Sequence, residues 1–340
     1  MKIAVDAMGG DFAPDVAIEG IAQALAEYPW ISKIQAVGHL GKISYYLEKY
    51  GIANHPRLEL VHADQVVEMS DPSTIALRAK KNSSITVAAQ MLKRNETDAI
   101  VSAGHTGAAV SATTVLCRTL PGIDRPSIAA LLPSQDGRHF ILTDAGANSD
   151  CTPENLQQFA ILGEAYCSFL FDVEKPRIGL MSVGGEDSKG NELTKEAFKL
   201  MAEMPINFVG NVEGDSIFEM VSDVVITDGF TGNVILKTSE GLARSTVHWL
   251  KDVISKNPVR ITSAVLLRNA FRELKAIADS EEFGGAPLLG INGSCIIGHG
   301  ASQAKAIKNA IRVAGETIKY DLNGKITQRL RDCNMLPEEK

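Results

Sequence analysis

Short β-branched runs alternating with helical stretches constrain this chain more than any other feature. KIAVDA (2–7) reads as a strand, and DVAIEGIAQALAEY (15–28) as a helix with Asp15 in its first turn. The order repeats with strand 31–38, helix 41–50, strand 58–63, a helix from near Ser73 to 94, and strand 98–104 leading into another helix. IAALLPS (128–134) and HFILTDAG (139–146) form a hairpin-like pair; helix 153–171, strand 177–184, helix 192–204 and strand 206–212 follow. Strands separated by helices need crossover connections and so lie parallel, which predicts a mostly parallel sheet with helices on both faces. No repeat or low-complexity linker interrupts the pattern, so one α/β domain is expected over 1–340. Residues 233–278 differ. They read as two long helices joined by residues 256–261, a protruding helical hairpin with a basic, partly apolar tip.

At 340 residues, 45% apolar and 22% charged, the chain can bury a sizeable core. A net charge of −7 argues against general nucleic-acid binding. The five cysteines contain no CxxC, so neither a disulfide framework nor a zinc site is expected. MKIAVDAMGGD carries one lysine and no long apolar segment, unlike a signal peptide. No 18-residue apolar run is present to span a membrane. The expected location is the cytoplasm, with attachment to a membrane surface left open.

Where strands end, small polar residues and glycines collect: Asp6 to Asp11, Ser102 to Gly107, Asp144 to Asn148, Gly184 to Glu192, Thr227 to Asn233, and Gly284 to Pro287 with Gly298-His299-Gly300 later. Any one of these is a tight turn before a helix. Together, at one edge of a parallel sheet, they suit an anion held by backbone N–H groups and helix N-termini. None is a P-loop or a dinucleotide GxGxxG, so no nucleotide cofactor is expected. Lys189 is either a solvated surface lysine or a charge contact for phosphate. Asp228 is either a helix cap or a general acid/base. His105 reads first as a packed or solvent-facing histidine. No Ser-His-Asp or Cys-His arrangement is evident, and the spacing of Asp6, Asp11, Asp144 and Asp228 does not support a metal site.

MKIAVDAMGGD, KKNSSI with VSAGHTGA, DAGAN, KGNELTKEA, TDGFTGNVILKTSEG and GGAPLLG with GHG resemble the PlsX family, the phosphate acyltransferases of bacterial phospholipid synthesis. The matching blocks run in order from residue 1 to about residue 300. The resemblance implies a Rossmann-like α/β/α sandwich related to isocitrate and isopropylmalate dehydrogenases. It implies transfer of a fatty acyl group from acyl carrier protein to phosphate by a homodimer without a cofactor. It also implies peripheral attachment to the inner face of the cell membrane, serving a membrane-embedded glycerol-3-phosphate acyltransferase. Two positions depart from the family pattern: His105, where SAGNTGA has Asn, and Gly184 to Asp187, where Gly-Glu-Glu-Glu is usual.

On this reading Lys189, Asp228 and Asn233 are the catalytic candidates, with Asp228 orienting Lys189 or relaying a proton. Gly9, Gly10, Ser102, Gly104, His105, Thr106, Gly107, Asn148, Asn191, Gly229 and Gly232 would hold phosphate and thioester. On the hairpin, Lys256, Val259, Arg260, Ile261, Arg268 and Arg272 would meet carrier protein or anionic lipid. From 251 to 272 five cations face Asp252 alone, a local balance of +4. The alternative for Ala264, Leu267, Phe271, Leu274 and Ala278 is a core or dimer stripe. The competing functions are a short-chain acyl-CoA phosphotransacylase, an NAD-dependent decarboxylating dehydrogenase of related fold, and a non-catalytic lipid-synthesis scaffold.

Overall fold

A computed structural model describes residues 1–277 and 280–336. Among them the strands form two sheets. The first has the order β3 (Leu58–His62), β2 (Lys33–Gly38), β1 (Lys2–Asp6), β4 (Ala99–Ser102), β12 (Ser294–Ile297), β11 (Ala286–Leu289), β5 (Ser127–Ile128). The second has the order β6 (Ala130–Pro133), β7 (His139–Thr143), β10 (Val224–Ile226), β8 (Ile178–Met181), β9 (Phe208–Val212). Pairing is parallel from β3 through β12 and from β7 through β9; β12–β11, β11–β5 and β6–β7 are antiparallel. The α/β class is therefore as expected, but the parallel strands are shared between two sheets.

The switch occurs inside one apolar run. Residues 128–134 read as a single strand, yet Ile128 pairs with Leu288 in the first sheet while Leu131 pairs with Ile141 in the second. Ala129 lies between them and donates its N–H to the Pro287 carbonyl. Periodicity cannot reveal such a handover, because both halves are apolar and extended.

Central strands are buried on both faces, which is why they are continuous apolar runs: Ile3, Ala4 and Val5 are at most 1% exposed. Helices α1 (Asp15–Glu27) and α11 (Ala304–Lys319) cover one face of the first sheet with Ile18, Ile21, Ile307 and Ile311. Helices α4 (Ser84–Lys93) and α5 (Thr106–Cys117) cover the other with small residues such as Ala88, Ala89, Ala109 and Ala112. Helices α6 (Pro153–Phe171), α7 (Glu192–Ala202) and α12 (Leu322–Asp332) pack on the second sheet through Phe159, Leu162, Met201 and Ile326. Helix α2 (Leu40–Lys49) closes the flank of the first sheet with Ile43 and Leu47.

Two expectations are corrected. The helix expected from Ser73 to 94 is broken into α3 (Ile75–Arg78) and α4, because Ser83 is extended and pairs with Gln65. The like charges of Arg78, Lys80 and Lys81 followed by Asn82 leave the break without helical support, and Lys80 instead holds Asp71 at 2.5 Å. The hairpin is the second. Its first arm, α8 (Gly229–Ser255), begins at the sheet edge, and its second is two pieces, α9 (Pro258–Leu266) and α10 (Arg268–Ile277). Val259 and Ile261 thus lie in the first turn of α9, not in a loop. Nothing on α9 is buried, and Leu267 and Leu274 are exposed, so the stripe is no core of this chain. Ala278 lies outside the described residues.

Candidate functional site

Two buried aspartates organise the sheet edges. Asp6, at the end of β1, accepts the Met8 N–H at 3.1 Å and the Ser102 hydroxyl at 2.8 Å. Ser102 Oγ in turn accepts the Gly104 N–H. Burial pushes the Asp6 carboxyl up from the ordinary carboxylate range, and hydrogen bonds from Ser84, Ser102, Met8 and Gly9 pull it back. The loops after β1 and β4 touch so closely that a Cβ on Gly9 would lie 2.7 Å from the Gly104 nitrogen. Gly10 has φ +110° and Asp11 donates its N–H to the Gly300 carbonyl, which adds the loop after β12 to the group.

Asp144, after β7, plays the same part in the second sheet. Its oxygens accept the N–H groups of Ile128, Gly146, Ala147 and Asn148 and the Asn148 side-chain amide. Burial pushes this carboxyl up too, against those donors. The start of α8 closes onto the loop: Gly229 donates to the Asn148 carbonyl, and a Cβ on Gly232 would meet the Asp144 carbonyl oxygen at 1.9 Å. Gly229 and Gly232 are thus close-packing glycines, and their N–H groups are engaged by Asn148 and Asp228.

Three of the predicted site residues cap helices. Asp228 accepts both the N–H and the hydroxyl of Thr231 at 2.8 Å, so its two oxygens serve α8, and no bond from it to Lys189 is present among the described residues. Asn191 accepts the Thr194 N–H at the start of α7. His105 caps α5: Nδ1 accepts the Ala108 N–H, which leaves the ring proton on Nε2 to donate to the Asp71 carbonyl. A histidine thus fills a capping position usually taken by Ser, Thr, Asp or Asn and adds a second tether.

That tether was not legible in the sequence. Asp71 and Ser73 arch over the first turn of α5, and a Cβ on Gly107 would run into Ser73 Oγ at 2.2 Å. Beneath them, the N–H groups of Thr106 and Gly107 donate to nothing among the described residues. This helix N-terminus therefore presents two unpaired N–H groups among the described residues.

Ala145, Ala147 and Leu236 of α8 share one apolar cluster with Ala109 and Val110 of α5. Asn233 lies against Gly146, about one turn before Leu236. Asn148 uses its amide on Asp144 and the Pro126 carbonyl, and Ser102 uses its hydroxyl on Asp6; both brace loops. Lys189 is exposed on the loop after β8, its stem over Gly184. Lys256, Arg260, Arg268 and Arg272 are exposed on the hairpin, away from the glycine loops in sequence and fold. No group of three metal-ligating side chains converges among the described residues. No described helix is long and apolar enough to cross a membrane.

Residues 1–325 match the family model described as fatty acid synthesis protein. The chain is 46% identical to a phosphate acyltransferase of a Nitratiruptor species, over 98% of both chains. It is 46% identical to one of Thermodesulfovibrio yellowstonii, over 100% of this chain and 97% of the relative. In three dimensions it is similar to a phosphotransacetylase from Streptococcus pyogenes, with TM-score 0.61 at 18% identity over 94% of both chains. A branched-chain phosphotransacylase from Enterococcus faecalis matches with TM-score 0.55 at 12% identity, over 94% of this chain and 99% of that one, and these likenesses speak for the fold. The expectation drawn from the sequence motifs holds: the chain belongs to the fatty acid synthesis protein family and is an acyltransferase of the phosphate acyltransferase kind.

Proposed function

We propose that this chain transfers a long-chain fatty acyl group from acyl carrier protein to inorganic phosphate, giving acyl phosphate for phospholipid synthesis. The observation that carries the proposal is the pair of free N–H groups at the start of α5, framed by glycine loops and roofed by Ser73. They supply donors and a helix dipole for an anion without a cation or metal. Phosphate is itself the nucleophile. A phosphate oxygen bonds to the thioester carbonyl carbon, the C–S bond breaks, and the proton released from phosphate ends on the departing sulfur. Holding both reactants in line lowers the barrier by roughly 7–11 kcal/mol. Lys189, on the loop after β8, is the candidate charge contact, with Asn233 and Asn191 as further donors.

The carrier protein and an anionic membrane are the proposed partners of the hairpin. Val259 is 72% and Leu266 81% exposed, and Trp249 and Val253 add apolar surface on α8. A single chain rarely leaves so much apolar area to water, which supports covering by lipid and by a second copy in a homodimer. Acyl phosphate would then pass to a membrane-embedded glycerol-3-phosphate acyltransferase. Release of free thiol from palmitoyl-acyl carrier protein, with and without phosphate, tests the reaction. Release that needs phosphate, with hydroxylamine trapping the acyl phosphate, is expected; equal release without phosphate would refute it. Acyl-CoA as the preferred donor would favour the short-chain reading.

A further inference from the structure

Among the described residues of the loop cluster, His299 is the group that neither bracing nor capping explains. Its loop, after β12, is fixed at both sides: Gly298 donates to the Ser102 carbonyl and Gly300 accepts from Asp11, each at 2.8 Å. Its ring is fixed as well. Nδ1 accepts the Ala301 N–H at 3.1 Å, so the neutral ring carries its proton on Nε2. That Nε2 faces Glu240 Oε2 across 3.8 Å, too far for a hydrogen bond. The ring is half-exposed, so Nε2–H is a positioned donor without an acceptor among the described residues.

Its place in the fold adds a second argument. Glu240 stands one turn of α8 beyond Leu236, which joins the apolar cluster that also holds Ala109 and Val110 of α5. His299 therefore lies between the end of β4, which its neighbour Gly298 contacts, and Glu240 on α8. The other charged groups at Glu240 are Lys237 at 3.0 Å and Arg244 at 3.7 Å, which offset its carboxylate. His105, the other histidine of these loops, has both ring nitrogens engaged.

We infer that His299 Nε2–H is the oxyanion donor, hydrogen-bonding the thioester carbonyl oxygen as phosphate attacks the carbon. The inference rests on the acyl transfer proposed above and names a residue for it. A neutral N–H suits an oxygen whose charge develops only in the transition state, whereas the phosphate dianion is already served by the N–H groups of α5. Glu240, offset by Lys237 and Arg244, faces the ring without bonding it.

The test is phosphate-dependent thiol release by wild type, His299→Ala and His299→Gln proteins of verified fold. His299→Ala is expected to lose about 100- to 1,000-fold in kcat with the phosphate KM changed little. His299→Gln, whose amide reaches toward the Nε2 position, should recover part of the loss. An alanine protein with wild-type kcat beside an active wild type overturns the assignment and leaves the acyl-transfer proposal standing. A rise in phosphate KM at unchanged kcat overturns it too, making His299 a phosphate contact.

Discussion

Gly232→Ala isolates the joint on which both halves of the site depend. In a helix interior alanine is favoured over glycine by about 1 kcal/mol, so propensity alone predicts a more stable protein. The geometry predicts the reverse. The new Cβ would sit 1.9 Å from the Asp144 carbonyl oxygen and 2.9 Å from Thr227 Cγ2. The first neighbour is backbone held by Asp144's own hydrogen bonds, so it cannot swing away. Reaching van der Waals contact requires α8 to retreat by about 1.5 Å. That stretches the Gly229 N–H bond to Asn148, now 2.8 Å, worth about 1 kcal/mol. Overpacking against backbone adds about 3 kcal/mol. Net of propensity, a loss of about 3 kcal/mol is expected, or roughly 4 °C in Tm for a chain of this size. Turnover should fall about 100-fold, because α8 carries Asn233 and Glu240 with it. Gly214→Ala is the control, since nothing lies within 4 Å of its Cβ position. Thermal unfolding and thiol-release rates measure both. A Gly232→Ala protein with Tm within about 1 °C of wild type and normal turnover would refute the close-packing argument.

Three further outcomes follow from the same contacts. Asp6 is held above the ordinary carboxylate range by burial, so the native state keeps its proton more tightly than the unfolded chain. Its contribution is full below about pH 3.9 and is lost as pH rises through the folded value; urea midpoints of Asp6→Asn should therefore gain on wild type as pH rises above about 3.9, and a flat difference would contradict this. His105→Ala should cost about 1 kcal/mol through the lost cap, while His105→Asn keeps the cap and loses only the tie to Asp71; calorimetry separates them, and a raised phosphate KM in both would report a loosened roof. Arg329 holds buried Glu164 at 2.6 and 3.0 Å. Arg329→Met should cost about 3 kcal/mol, and adding Glu164→Leu should return most of it in a denaturant double-mutant cycle.

Much of the candidate site was legible because glycine and small polar residues at strand ends have few other uses. Gly9, Gly104, Gly229 and Gly232 all lie at close approaches, and each would meet a neighbour with a Cβ. Their roles were less legible. Asp228 read as a cap or an acid/base and Asn191 as a donor to the substrates, and the structure uses the oxygens of both as caps. Gly229 and Gly232 read as an anion cradle, yet their N–H groups are already bonded. The free N–H groups lie instead on α5, under Asp71 and Ser73 from a segment that reads as the start of a helix.

By itself the sequence determined the strand–helix alternation, the parallel α/β class, the family and the residue types at the loop edges. These follow from local periodicity and from chemistry that neighbouring residues share. Only the tertiary structure decided that the strands divide between two sheets, that Asp6 and Asp144 brace loops of different sheets, and that His299 faces Glu240. Each of those depends on segments far apart in the chain: β5 finds β11 and β6 finds β7, and the loop after β12 reaches α8. Contacts of that range are set by which buried faces pack together, and no local pattern records the partner.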